Sequence, residues 1–214
     1  IIKENKRLVI IDHHFTSEER VKLAKEYIFD TNHSGAMLAW QYFHKNKPAP
    51  LLVKYIEDMD LWRFYLPRSK EITAYIELFD FNFKNWSKLS RDLENSSKRK
   101  KMIADGKLLF DYENRLIDRI IKEDAELVKF AGYRTLAVNT QYAHSALGNK
   151  LAKKMPPISI SWVEKGGRRF FSLRSDGSVN VGELAKKFAG GGGQKAAAGF
   201  TLPANEPLPW KPIK

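Results

Sequence analysis

The feature that most constrains the fold is an apolar run that ends in three polar residues. Leu8 to Ile11 is Leu-Val-Ile-Ile, and Asp12, His13 and His14 follow it directly. An uninterrupted aliphatic run is typical of a buried strand in a parallel sheet. Open α/β sheets bind their ligands at the carboxyl ends of such strands. The triplet therefore indicates hydrolytic metal chemistry at this strand end, and a capped strand end with surface histidines is the alternative.

The residue types of the triplet suit a divalent cation. A carboxylate and an imidazole are good ligands for an ion such as Mn²⁺. Alternate side chains diverge on an extended strand, so we do not expect all three groups to bind one ion. We expect Asp12 and His13 to bind the metal and His14 to contact a phosphate oxygen.

An acidic segment, residues 57–60, adds further candidate ligands. Its sequence is Glu-Asp-Met-Asp, and it closes a predicted helix. Acids at a helix carboxyl terminus oppose the helix dipole, and a bound cation compensates that cost. The segment favours Asp58 and Asp60 as metal ligands, although solvation of the acids is an equally good explanation of the segment alone.

The second half of the chain carries residues suited to an anion. Four consecutive glycines, 190–193, are costly to order and suit a backbone that directs N–H groups at an anion. Lys195 adds positive charge close by. Arg174, at the end of a predicted strand, can bind phosphate through two parallel hydrogen bonds. The alternatives are a flexible glycine linker and a surface arginine.

The composition limits the function classes. The 214 residues include no cysteine, which excludes disulfides, zinc–thiolate sites and thiol nucleophiles. No stretch approaches the roughly 18 to 20 apolar residues that span a bilayer, so we expect a cytoplasmic protein with no membrane partner. The formal charge of +12 favours polyanionic partners such as nucleotides or nucleic acid. The basic run 98–101 fits that role, and it equally fits a solvated helix face.

The hydrophobic periodicity predicts an α/β chain whose two halves differ in pattern. A long helix, or two helices joined at Gly106, is predicted between them over 97–129. The other predicted helices cover 17–24, 35–43, 51–58, 71–78, 84–94, 145–154 and 181–188, and the predicted strands cover 8–11, 27–29, 135–139, 158–163, 168–174 and 198–202.

Together these motifs resemble one family. Residues 10–14 resemble the namesake motif of the DHH phosphoesterases, and 191–199 resemble the GGGHxxAAG signature of their associated DHHA1 domain. Segments 34–36, 57–62 and 172–175 fit the same order, so the resemblance covers essentially the whole chain. It implies an α/β fold with two domains: a partial parallel-sheet DHH domain over 1–96, a linking helix over 97–130, and a smaller α/β DHHA1 domain over 131–214.

The resemblance also implies a function. Family members hydrolyse phosphoesters with water activated between two metal ions, usually Mn²⁺, and the ligand types also suit Mg²⁺ or Co²⁺. We expect a phosphorylated substrate: a short single-stranded oligonucleotide, a nucleotide or a cyclic dinucleotide. The resemblance implies that Asp12, His13 and His14 are catalytic. The implied metal ligands are Asp12 and His13, with Asp58 as the first choice for a further aspartate and Asp60 as the second. The implied substrate-binding residues are His14, Arg174, Gly191, Gly192, Gly193, Gln194 and Lys195.

Two departures from the family pattern keep other functions open. Gln194 replaces the signature histidine and can carry neither a proton nor a charge near neutral pH. The family's aspartate-rich motifs upstream of the triplet have no counterpart in 1–11. We therefore expect the C-terminal part of a longer enzyme, or a chain completed by a second copy or a partner. A non-catalytic nucleotide- or nucleic-acid-binding module is the alternative.

Overall fold

The computed structural model describes residues 8–142 and 144–213, so the first seven residues of the predicted DHH domain lie outside the described part. The chain divides into two compact units, one ending at Glu113 and the other beginning at Asn114. Helices and strands occur in both, and the predicted α/β class is confirmed. The division falls within the segment that the sequence assigns to the linking helix.

The first unit begins with a small parallel sheet. Strand β1 (Val9–Asp12) leads through a 3₁₀ turn (Phe15–Ser17) and helix α1 (Glu18–Val21) to strand β2 (Glu26–Phe29). The two strands pair in parallel, with Asp12 opposite Phe29. All four residues of β1 are half-buried rather than fully buried. The expected burial is wrong because the sheet has only two strands among the described residues, which leaves β1 less covered than a central strand.

Four helices build the rest of this unit. They are α2 (Gly35–Phe43), α3 (Leu51–Asp60), α4 (Ser69–Ile76) and α5 (Phe83–Glu94). Ser34 caps α2 by accepting a hydrogen bond from the Met37 backbone N–H. Proline at residue 50 precedes α3, where its missing N–H costs nothing. The helices bury one apolar cluster, made of Leu52, Tyr55, Ile72, Ile76, Leu89, Leu93 and Met102.

Helix α6 (Ser96–Asp124) is one continuous helix of 29 residues. Gly106 lies in close contact with the backbone of Glu71, because a Cβ at position 106 would lie 1.9 Å from the Glu71 carbonyl oxygen. The prediction of helix up to residue 129 is wrong. Strand β3 (Glu126–Phe130) begins two residues after α6, and a turn at 131–132 with positive φ angles reverses the chain.

The second unit is built on a seven-stranded mixed sheet. Its remaining elements are β4 (Tyr133–Asn139), α7 (His144–Lys154), β5 (Ile158–Lys165), β6 (Arg168–Ser175), α8 (Val181–Ala185), β7 (Gly192–Gly193), β8 (Ala197–Pro203) and β9 (Lys211–Pro212). The strand order is β7-β8-β6-β5-β4-β3-β9, and only β4 and β5 pair in parallel. Helix α7 supplies the crossover that a parallel pair requires.

The sheet has apolar residues on both faces. Phe171, Leu173 and Phe200 form one cluster with Val181 and Leu184 of α8. Val138 forms a separate cluster with Leu147 and Leu151 of α7 and with Ile117 and Ile121 of α6. Alternation along β6 therefore directs Arg174, the neighbour of Leu173, toward the face that α7 covers.

Among the helices of the described residues, none combines the length and apolar character that a membrane crossing requires.

Candidate metal centre and phosphate-binding residues

Asp12 ends β1, and its carboxylate is held by four donors. Oδ1 accepts the backbone N–H groups of His13 at 2.7 Å and His14 at 3.1 Å, and the His14 Nδ1 lies 2.7 Å away. Oδ2 accepts the hydroxyl of Ser17. Burial raises the pKa of Asp12, but these hydrogen bonds together lower it well below its usual range. Asp12 is therefore ionised at any physiological pH.

Ser17 is a residue whose role the sequence analysis missed. It begins the predicted helix 17–24 but lies just before α1 in the structure, and its side chain makes no capping hydrogen bond. Its Oγ instead contacts Asp12 and lies 2.8 Å from the His14 carbonyl oxygen. The serine therefore fixes the triplet rather than the helix.

The three side chains of the triplet lie together. One ligand atom from each of Asp12, His13 and His14 lies within 4.8 Å of the others. The expected divergence of alternate side chains is wrong here because β1 ends at Asp12 and the histidines belong to the turn that follows. The His13 side chain is buried, at 8% exposure, whereas that of His14 is 60% exposed. A ligand from solvent can therefore reach His14 more easily than His13.

The structure distinguishes the two candidate aspartates of the acidic segment. Asp60 Oδ2 lies 3.3 Å from His13 Nε2. Asp58 is buried, and its two carboxylate oxygens accept the backbone N–H groups of Tyr65 at 2.8 Å and Leu66 at 3.1 Å. Asp60 thus adjoins the triplet, whereas Asp58 holds the loop after α3.

A second polar pair lies beside this group and was not anticipated. Glu57 Oε1 lies 2.7 Å from His33 Nδ1 and accepts the Ser34 backbone N–H at 3.2 Å. The pair joins the start of α2 to the end of α3. A Cβ on Gly35 would lie 3.8 Å from His13 Cδ2, so the start of α2 packs next to the buried histidine. These contacts join residues that are far apart in the sequence, so no local sequence pattern predicts them.

The donor set suits a divalent cation. Carboxylate oxygen and imidazole nitrogen are the ligands that Mn²⁺ accepts. Ligand atoms at about 2.1 Å from an octahedral ion lie about 3 Å from one another. His13 Nε2 and Asp60 Oδ2 are separated by 3.3 Å, close to that spacing, and the ionised Asp12 adds negative charge to the same group.

In the second unit, the side chain of Arg174 donates hydrogen bonds to two neutral oxygens. Its Nη2 donates to Ser145 Oγ at 2.8 Å and its Nη1 to the Leu173 carbonyl oxygen at 3.1 Å. Within residues 8–142 and 144–213, no carboxylate forms an ion pair with it. Burial lowers the pKa of Arg174, since desolvation disfavours the charged form. A half-buried guanidinium whose hydrogen bonds in the described residues go to neutral oxygens is suited to an anionic ligand.

The glycine segment lies on the same sheet as Arg174. Arg174 pairs with Ala197 of β8, and β7 pairs with β8 on the other side. Gln194 closes the tight turn between β7 and β8, because its N–H donates to the Ala197 carbonyl oxygen at 2.7 Å. The side chains of Gln194 and Lys195 are exposed. The strand pairing makes this segment part of the sheet and disfavours the flexible-linker alternative.

The glycines differ in what they contact. A Cβ on Gly191 would lie 2.0 Å from the Ala185 carbonyl oxygen, and one on Gly193, whose φ is 146°, would lie 2.5 Å from the Ala198 Cα. A Cβ on Gly192 would meet nothing within 4 Å. Close packing therefore explains glycine at 191 and 193, whereas a Cβ at 190 or 192 would lie in open space.

Residues 129–209 match the DHHA1 domain family. The match confirms the DHH/DHHA1 resemblance that the motifs predict, and it contains Arg174 and the whole glycine segment. The site residues thus form two groups, a carboxylate–histidine group in the first unit and a basic, glycine-rich group within the segment that matches the DHHA1 domain family.

Similar proteins are known from a virus and from bacteria. Over 94% of its length the chain is 29% identical to the uncharacterized protein R106 of Acanthamoeba polyphaga mimivirus, and it spans 49% of that relative. Among solved structures, it is similar to the pGpG-specific phosphodiesterase PggH of Vibrio cholerae (16% identity, 84% of this chain and 71% of that one, TM-score 0.49). An exopolyphosphatase-related protein of Bacteroides fragilis is also similar (15% identity, 94% and 60%, TM-score 0.47).

Proposed function

We propose that this chain is part of a metal-dependent phosphohydrolase that acts on short oligonucleotides, nucleotides or cyclic dinucleotides, with Mn²⁺ as the metal. The observation that carries the proposal is the placement of His13 beside both the ionised Asp12 and Asp60, in a chain that also matches the DHHA1 domain family. A bound divalent pair supplies an activated water and a Lewis acid for attack on phosphorus.

The first unit supplies the metal ligands in this proposal. Asp12, His13 and Asp60 hold the metal, and Asp58 supports them by fixing the loop after α3. His14 contacts a phosphate oxygen. Its Nδ1 is held by Asp12, and in the described part of the chain its Nε2 has no hydrogen bond. A protonated His14 would donate that Nε2–H to the substrate.

The DHHA1 domain supplies phosphate binding. Arg174 offers N–H donors to phosphate oxygens, and the N–H groups around Gly192 can do the same. Lys195 contributes charge without a fixed geometry. Gln194 donates a hydrogen bond but transfers no proton, so no acid–base step is assigned to it.

The test is Mn²⁺-dependent hydrolysis by the longer enzyme of which we propose this chain to be a part. The substrates are a 5′-phosphorylated dinucleotide, a nucleoside monophosphate and a cyclic dinucleotide. We expect turnover that chelation removes and that His13→Ala and Asp60→Ala abolish. His44→Ala is the matched control, because His44 is exposed and stacks on Trp40, away from the triplet in sequence. Turnover that survives both site variants contradicts the proposal.

The second candidate function is a non-catalytic nucleotide- or nucleic-acid-binding module. The net charge of +12 and the glutamine at 194 favour it. This function requires only affinity that falls steeply with salt. This function is supported if the dinucleotide binds with an affinity that falls with salt, if His13→Ala binds it equally well, and if no hydrolysis product forms.

A further inference from the structure

Ser145, the second residue of α7, contacts the guanidinium of Arg174. Its Oγ accepts a hydrogen bond from Nη2 at 2.8 Å. We propose that Ser145 and Gly148 are positioning residues that fix Arg174 for binding a substrate phosphate. The inference rests on the proposed phosphate-binding role of Arg174. It adds that two residues of α7 hold the arginine side chain in place.

Gly148 makes room for the stem of the arginine. It is buried, and a Cβ at this position would lie 2.8 Å from Arg174 Cγ and 3.6 Å from Arg174 Cβ. Since Cγ is near the backbone, the side chain could not evade that contact by moving its far end alone. Glycine one turn after Ser145 therefore lets α7 lie directly on the stem while the serine holds the head group.

Helix α7 is itself fixed to the sheet, so it can serve as a rigid support. Ser159 Oγ of β5 donates to the Gly148 carbonyl oxygen at 2.6 Å, and Ser161 Oγ lies 3.2 Å from His144 Nδ1. Leu147 and Leu151 are fully buried beneath the helix. A phosphate-binding side chain gains affinity when its geometry is set before the ligand arrives.

The guanidinium remains available to a ligand. It has five N–H donors, and two contacts are present among the described residues, neither to a carboxylate. Ser145 is exposed, so the head group it touches is near solvent. An arginine held in place only by neutral oxygens keeps its full charge for an anion.

The test is binding of adenosine 5′-monophosphate to the full chain in EDTA, measured by calorimetry, with the melting temperature of every variant. We expect Arg174→Ala to abolish measurable binding. Ser145→Ala should weaken it about 3- to 10-fold, the equivalent of one ordinary hydrogen bond, and Ser145→Thr should restore it. Asn149→Ala is the matched control, because Asn149 lies one turn along α7 and contacts the Ser145 carbonyl oxygen but not Arg174.

Gly148→Ala distinguishes an effect on the position of Arg174 from an effect on the stability of the fold. Alanine has the better helix propensity, so weaker binding without a lower melting temperature supports displacement of Arg174. Wild-type affinity in both Ser145→Ala and Gly148→Ala, with binding lost in Arg174→Ala, overturns the positioning inference alone. No binding by the wild type, or full binding by Arg174→Ala, contradicts the proposed phosphate site and the inference with it.

Discussion

His13 Nε2 lies 3.3 Å from Asp60 Oδ2, joining the turn after β1 to the last residue of α3. His13 is buried, and its other neighbours in the triplet, Asp12 and His14, contact each other. The buried histidine thus connects the acidic end of α3 to the strand end. This contact distinguishes two aspartates that lie two residues apart in the sequence.

Asp60→Ala is expected to weaken Mn²⁺ binding with little effect on folding. Asp60 is 40% exposed on its side chain, so water can occupy the place of its carboxylate beside His13 Nε2 when Asp60 is removed. We expect the dissociation constant for Mn²⁺ to rise by about 10-fold or more. Removing a residue that only orients a metal ligand already has an effect of about this size, and removing a ligand itself should have at least the same effect. Electron paramagnetic resonance of free Mn²⁺ measures this, with the exposed Asp80→Ala as control. Equal affinity in the two variants would remove Asp60 from the site.

Asp58→Ala is expected to act on stability instead. Its buried carboxylate satisfies two backbone N–H groups of the loop after α3, at 2.8 and 3.1 Å. Loss of these bonds should lower the free energy of unfolding by roughly 1–3 kcal/mol, seen as a lower urea midpoint, and Asp58→Asn should lose less. If Asp58→Ala keeps its midpoint but loses Mn²⁺ affinity, Asp58 is the ligand and the assignment to Asp60 fails.

Most of the fold was predictable because its patterns are local. The predicted strands 135–139, 158–163, 168–174 and 198–202 agree with β4, β5, β6 and β8, and the predicted helices 35–43 and 51–58 agree with α2 and α3. Strand β3 was missed because Leu127 continues the apolar spacing of α6. The signal was present in the Ala131-Gly132 pair, since both residues have positive φ, as a tight hairpin turn requires.

The candidate site was predictable only where its residues are contiguous. Asp12, His13 and His14 are adjacent, so the triplet is visible in the sequence. Asp58 and Asp60 lie about 200° apart around α3, and which of them meets His13 depends on how the helix rotates against β1. The contact of Ser145 with Arg174 depends in the same way on the placement of α7 over the sheet.

The stability of the first unit is expected to depend on pH through Asp92. Its carboxylate lies 2.7 Å from Lys88 Nζ on α5 and 2.6 Å from Lys98 Nζ on α6. Hydrogen bonds from Lys88 and Lys98 lower the pKa of Asp92. A carboxyl whose pKa is lower in the folded state stabilises the fold above its unfolded pKa of about 3.9 and loses that effect as pH falls toward the folded pKa.

Asp92→Asn should therefore differ from the wild type most near neutral pH and least below about pH 3. Urea midpoints measured across that range, at low and high salt, test this, since salt screens the exposed lysines. A difference that stays constant with pH would show that the hydrogen-bond geometry, not the charge of Asp92, stabilises the unit.

Substitutions at different glycines of the segment are expected to affect either stability or ligand binding. Gly191→Ala would place a Cβ 2.0 Å from a backbone oxygen, and Gly193→Ala would add one where φ is 146°. Backbone cannot yield as a flexible side chain does, so each should cost about 2 kcal/mol or more in the free energy of unfolding. Gly192→Ala meets open space, and we expect its melting temperature to match the wild type while nucleotide affinity falls. An unchanged affinity in Gly192→Ala would mean that the segment has glycines only because the strands pack closely there.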